Sequence, residues 1–97
     1  MKHKIDLSQV KKSQMALRAL NHKLRQQILS TIETAKEITV TEIYVKLRIE
    51  QSVASQHLAI LRKARIVNTR RQGKLIYYTV NFNRILQIEK CVGELNK

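Results

Sequence analysis

Residues 52–63 hold the side chains with the clearest chemical potential. Ser52, Ser55, Gln56, Arg62 and Lys63 fall on one side of a helix, with Ala59 between them. Serine and glutamine can bond base edges, and arginine and lysine reach phosphate or guanine. Short residues such as Ala59 allow close approach to a groove. No acid lies on that side, whereas a solvated helix face usually mixes both signs. A few residues later Arg70, Arg71 and Lys74 surround Gly73, again without an acid. Such a basic tip can hold phosphate or enter a minor groove. Lys46 and Arg48, just before the first group, are further phosphate candidates.

Other chemistries lack their parts. Ser52 and Ser55 stand five and two residues from His57, and neither spacing on one helix joins a nucleophile to its base. Gly73 has no glycine neighbour, so no phosphate-cradling loop exists. His57 lies on the apolar side of its helix and reads as a packed or hydrogen-bonded side chain. His3 and His22, near a terminus and a helix end, read as solvated. Cys91, the single cysteine, reads as a small hydrophobe. The expectation is a non-enzyme with no cofactor and no metal site.

The elements that must position these residues follow from composition and periodicity. The 97 residues carry 19 Lys+Arg against 7 Asp+Glu, a net charge of +12. Residues 44–78 hold eight of those cations against Glu50 alone. Such an excess favours a polyanion, because each neutralised phosphate releases counterions. The length allows one domain, 1–97, too small for a deep substrate cleft. Nothing apolar is long enough to span a membrane. Residues 1–6 are charged and unlike a signal peptide, so the expected location is the cytoplasm.

Leu7, Val10, Met15, Leu17 and Leu20 predict a helix over 6–20, capped by Asp6 or Ser8. Leu24, Ile28, Leu29 and Ile32 predict a second over 22–34. Residues 37–40 suggest a stub of strand. Thr41 then caps a third helix, 42–48, with Ile43, Val45 and Leu47 available to the core. A fourth runs from about Ser52 to about Ala64. Its apolar arc comprises Ala54, Leu58 and Leu61, flanked by Val53, His57, Ile60 and Ala64. Residues 66–71 and 75–80 predict a hairpin about a turn at 72–74. Tyr77 and Tyr78 alternate across it, so one faces the core. Residues 82–96 predict a last helix. The fold class is mostly α with a small β-hairpin, in the order α-α-(β)-α-α-β-β-α: a winged helix-turn-helix.

Three segments then resemble the ArsR/SmtB-type winged-helix transcriptional repressors. Residues 20–29 are similar to the family's L-x-x-x-x-R-x-x-I-L opening, 52–61 to its S-x-x-S-x-H-L-x-x-L recognition helix, and 71–78 to its R-x-G-(K/R)-x-x-x-Y wing. The resemblance covers roughly residues 16–80. It implies a homodimer seamed by helices 6–20 and 82–96, with the two 52–64 helices in successive major grooves of an imperfect palindrome. It also implies double-stranded DNA as the partner. The family's turn glycines are replaced by Arg48 and Arg65. Its metal-sensing E-L-C-V-C-D-L frame is matched by Glu37-Ile38-Thr39-Val40-Thr41-Glu42-Ile43, with threonine at both cysteine positions. A hydroxyl is a poor ligand for a soft metal. Helix 82–96 has neither the His nor the Asp of the family's other metal site, and a redox pair would need a second cysteine. The effector is not encoded in any of these motifs. Rival readings are a protein-interaction winged helix, a repressor gated by an atypical metal or ligand, and an RNA binder. The first would want an apolar anchor on the 52–63 face, where only Ala59 is apolar. The last would want more than three Tyr and one Phe.

Overall fold

The computed structural model describes residues 16–95, with side chains through residue 90. A helical segment at 16–20 (α1) leads through Asn21 and His22 into α2, Lys23–Ala35. Then come β1 (Ile38–Thr39), α3 (Val40–Leu47), α4 (Gln51–Lys63), β2 (Val67–Gln72), β3 (Leu75–Val80) and α5 (Phe82–Leu95). The predicted element order holds over this range. Residues 6–15 of the first predicted helix and residue 96 of the last lie outside the described residues, as does the side chain of Cys91.

Local chemistry explains most boundaries. His22 caps α2, its Nδ1 accepting the Leu24 N–H at 3.2 Å. The cap of α3 is Thr39, not the expected Thr41. Thr39 stands three residues before Glu42, which allows a reciprocal capping box. Its Oγ1 accepts the Glu42 N–H at 3.3 Å, and Glu42 Oε1 accepts in return from the Thr39 N–H at 3.5 Å and the Thr39 hydroxyl at 3.0 Å. Helices α3 and α4 end in the same way. The Ile49 N–H reaches the Tyr44 carbonyl at 3.1 Å, and the Ile66 N–H reaches Leu61 at 2.9 Å. This closure needs a left-handed residue, and Arg48 (φ 56°) and Arg65 (φ 62°) supply it. A side chain in that region costs about 1 kcal/mol relative to glycine. Lys36 also has positive φ, 68°, where α2 stops.

The sheet is antiparallel with order β1-β3-β2. The short β1 thus pairs with the returning strand of the hairpin, Ile38 opposite Tyr78 and Thr39 opposite Tyr77. The core lies between this sheet and the helices. Ile28, Ile32, Ile38, Ile43, Leu58, Leu61, Ile66 and Ile88 are fully buried, each contributing about 1.5–3 kcal/mol of burial. Two expected core residues are exposed: Val45 at 62% and Ile60 at 42%. At 100° per residue Ile60 sits roughly 120° around α4 from the Ala54–Leu58–Leu61 line, at the edge of what the core can cover. Val45 lies roughly 160° around α3 from buried Ile43 by the same geometry.

Candidate nucleic-acid interface

Helices α3 and α4, joined by residues 48–50, form the helix-turn-helix, and β2–β3 form the wing. Ala54, Leu58 and Leu61 bury the inner line of α4 to 1% exposure or less. Ser52, Ser55, Gln56, Arg62 and Lys63 are therefore all turned outward and exposed. Lys46, on the last turn of α3, and Arg48, at its left-handed end, are exposed beside them.

Three contacts outside that face hold α4 in place. Arg25 on α2 donates from Nε to the Ala19 carbonyl at 2.7 Å, from one terminal nitrogen to the Arg18 carbonyl at 3.1 Å, and from the other to His57 Nδ1 at 3.3 Å. Guanidinium only donates, so His57 accepts at Nδ1 and carries its proton on Nε2. Burial, then the nearby charges of His22 and Arg25, lower the His57 pKa below its ordinary 6.5. The His22 ring lies 4.8 Å away, tilted by 49°. At the C-terminal end of α4 Arg84 Nε donates to the Ala64 carbonyl at 3.1 Å, and Asn81 Nδ2 donates to the Arg65 carbonyl at 3.0 Å. Asn81 also accepts the Arg84 N–H at 3.2 Å, starting α5. The carbonyls that end α4 are thus tied to the start of α5.

The wing turns on Gly73 and Lys74, with Gln72 opposite Leu75. Gly73 has φ 63°, and a leading glycine in a two-residue loop is the type II′ composition. Arg71 Nε donates to the Gly73 carbonyl at 3.1 Å and braces the tip. Arg71 and Lys74 are exposed. Arg70 is different from the free basic residue the sequence suggests. Its guanidinium bonds both Glu37 carboxylate oxygens, at 2.9 and 2.7 Å, and Gln72 Oε1 at 2.9 Å. It also lies 4.8 Å over the Tyr77 ring. Arg70 therefore straps the outer face of the sheet from β2 across β3 to the residue before β1. The hydrogen bonds from Arg70 hold the Glu37 carboxyl below its ordinary range, and the carboxylate raises Arg70 in turn.

Tyr78 faces the other way. Its ring packs against the core, and it joins Ser55, Ala59, Arg62 and Lys63 around a shallow cleft of about 440 Å³. The structure thus brings three of the predicted residues together with a tyrosine that sequence periodicity leaves unassigned between core and surface. Arg25, Asn81 and Arg84 were not legible as positioning residues, since their partners are carbonyls and a distant histidine. Arg25 does fall within the opening motif noted above.

Among the described residues no group of three or more His, Cys, Asp or Glu could hold a metal ion. At the family's metal frame, the Thr39 hydroxyl is engaged in the α3 cap. No helix among the described residues is long and apolar enough to cross a membrane.

Known proteins share this arrangement. A family profile described as "Bacterial regulatory protein, arsR family" matches residues 22–69. The chain is 30% identical over 93 residues to the transcriptional repressor PagR of Bacillus anthracis, covering 96% of this chain and 93% of that protein. It is 35% identical over 74 residues to the transcriptional activator HlyU of Vibrio cholerae, covering 76% and 68%. The crystal structure of PagR superposes with TM-score 0.73 at 29% identity, over 90% of this chain and 99% of that one. An ArsR-like regulator from Rhodococcus sp. RHA1 gives 0.82 at 16% identity, over 92% and 83%, a likeness of fold alone. The chain is a winged helix-turn-helix DNA-binding regulator of transcription and belongs to the arsR family of bacterial regulatory proteins.

Proposed function

We propose that this regulator is a homodimeric, cytoplasmic repressor that binds an imperfect palindrome in double-stranded DNA. One observation carries the reading. The exposed face of α4 has no acid, while the middle and the C-terminal end of that helix are anchored by contacts that leave the face free. Ser52, Ser55, Gln56 and Arg62 read or approach bases in the major groove, with Ser55 and Arg62 on the flank of that face that borders the cleft against β3 and the backbone strand. Lys63, Lys46 and Arg48 meet phosphate beside them. Arg71 and Lys74 hold phosphate or the edge of the adjacent minor groove from the wing, and Arg70 shapes the wing through its strap.

The dimer seam comprises α1 and α5. In support, Leu17 on α1 and Phe82 and Leu86 on α5 are 43%, 54% and 61% exposed. Phe82 and Leu86 stand one turn apart and form a stripe suited to a partner helix. Repression follows the named activity of PagR. The threonine-substituted frame favours a repressor that does not use the family's cysteine-type metal site.

Selection from a random duplex library at two salt concentrations tests the proposal. The expected result is a palindrome with half-sites about one helical turn apart. Sequence-blind binding that collapses at the higher salt would overturn it.

A further inference from the structure

We propose that the cleft between α4 and β3 seats one phosphate of the DNA backbone, and that the Tyr78 hydroxyl donates a hydrogen bond to it. This rests on the DNA-binding reading above and adds a residue and a contact to it. A single sugar–phosphate strand separates a major groove from the neighbouring minor groove. A helix in the first and a hairpin in the second must straddle that strand. The strand then passes between α4 and the sheet, where the cleft lies.

The lining suits an anion. Arg62 and Lys63 supply positive charge, Ser55 and Tyr78 supply hydroxyls, Ala59 leaves room, and no acid lines the cleft. Glu37, whose carboxylate reaches the wing, is bound to Arg70 beside Tyr77. Consecutive strand residues point to opposite faces, so Tyr77 serves the strap and Tyr78 the cleft. Tyr78 is fixed by pairing on both sides, to Ile38 and Thr69, and by its ring against the core. Among the described residues no side-chain hydrogen bond engages its hydroxyl. A phenol held in this way donates to phosphate with little ordering cost, and a hydrogen bond to an ionised oxygen is a strong one.

The test uses the duplex recovered by selection, with wild type, Tyr78→Phe and Arg62→Ala measured across a salt series. Tyr78→Phe keeps the packed ring and removes one oxygen. It binds about tenfold more weakly, the scale of one hydrogen bond to a charged acceptor. Its salt slope stays at the wild-type value because a neutral donor releases no counterion. Arg62→Ala lowers the slope by about 0.9 per phosphate relinquished. Next, each backbone phosphate flanking a half-site is replaced singly by an uncharged methylphosphonate. Wild type weakens at several positions, and at one of them per half-site Tyr78→Phe loses nothing further. Equal binding by Tyr78→Phe and wild type overturns the seat. So does a loss that persists on every substituted duplex, which is what a shortage of folded protein would give. If wild type selects no duplex, the DNA-binding reading itself fails, and the two failures are distinct.

Discussion

Helix α4 and the wing carry charge of the same sign, yet they hold it differently. On α4 the cations Arg62 and Lys63 face solvent from a helix held at its middle through His57 and at its C-terminal end through the Ala64 carbonyl. In the wing one of three cations, Arg70, is neutralised internally by Glu37, and Leu75 and Ile76 are exposed at 51% and 41%. Charge of one sign in sequence is therefore unequal availability in structure. The helix is built to present side chains, and the wing spends a cation on its own shape.

The difference should be largest in stability. Leu61 beneath α4 is fully buried, and Leu61→Ala should cost about 2–5 kcal/mol. Ile76→Ala in the wing, at 41% exposure, should cost well under half as much. Urea unfolding of the two variants checks the contrast. In DNA binding, Arg62→Ala should weaken affinity about tenfold and lower the salt slope, as loss of a phosphate contact does. Arg70→Ala should leave the slope unchanged, because its charge is already balanced by Glu37. Anisotropy titrations at several salt concentrations separate them, and equal slope losses would erase the distinction between helix and wing.

A smaller effect is expected at the turn. Arg48→Gly should relieve about 1 kcal/mol of left-handed strain while weakening DNA binding and flattening its salt dependence. Unchanged binding would remove Arg48 from the interface. The smallest effects concern pH. The His57 pKa is lowered in the folded state, so the unfolded chain binds more protons as pH falls. Its stabilising contribution is present above the ordinary value of 6.5 and is lost as pH drops through the folded value. His57→Gln should flatten the fall in stability on acidification. The Glu37 carboxyl is also lowered, so the strap persists above its ordinary 4.5 and fails below its folded value. Glu37→Gln should remove that acid-range loss in thermal-melt measurements.

The elements and the face of α4 were legible because both depend on local spacing. Periodicity put Ala54, Leu58 and Leu61 inward, and that alone turned Ser52, Ser55, Gln56, Arg62 and Lys63 outward. Arg48 and Arg65 stand where glycine is usual in the family, and both have positive φ. Non-local chemistry was not legible. Glu37 and Arg70 are 33 residues apart and meet only through the sheet order. Arg25 reaches His57 across 32 residues. Thr41 was mistaken for Thr39 as the α3 cap because the reciprocal bond with Glu42 depends on where the short strand ends. Val45 and Ile60 were placed in the core by residue type, although the arc that the core covers is narrower than the apolar arc of either helix.

The central claim is that α4 reads sequence while the wing holds the backbone. The most direct test repeats the duplex selection with Gln56→Ala and with Arg71→Ala. Glutamine pairs with adenine in the major groove, whereas a phosphate contact carries no sequence information. Gln56→Ala should relax the preference at one position in each half-site, and Arg71→Ala should weaken all sites alike with the consensus intact. A consensus that changes with Arg71→Ala and survives Gln56→Ala would contradict the account.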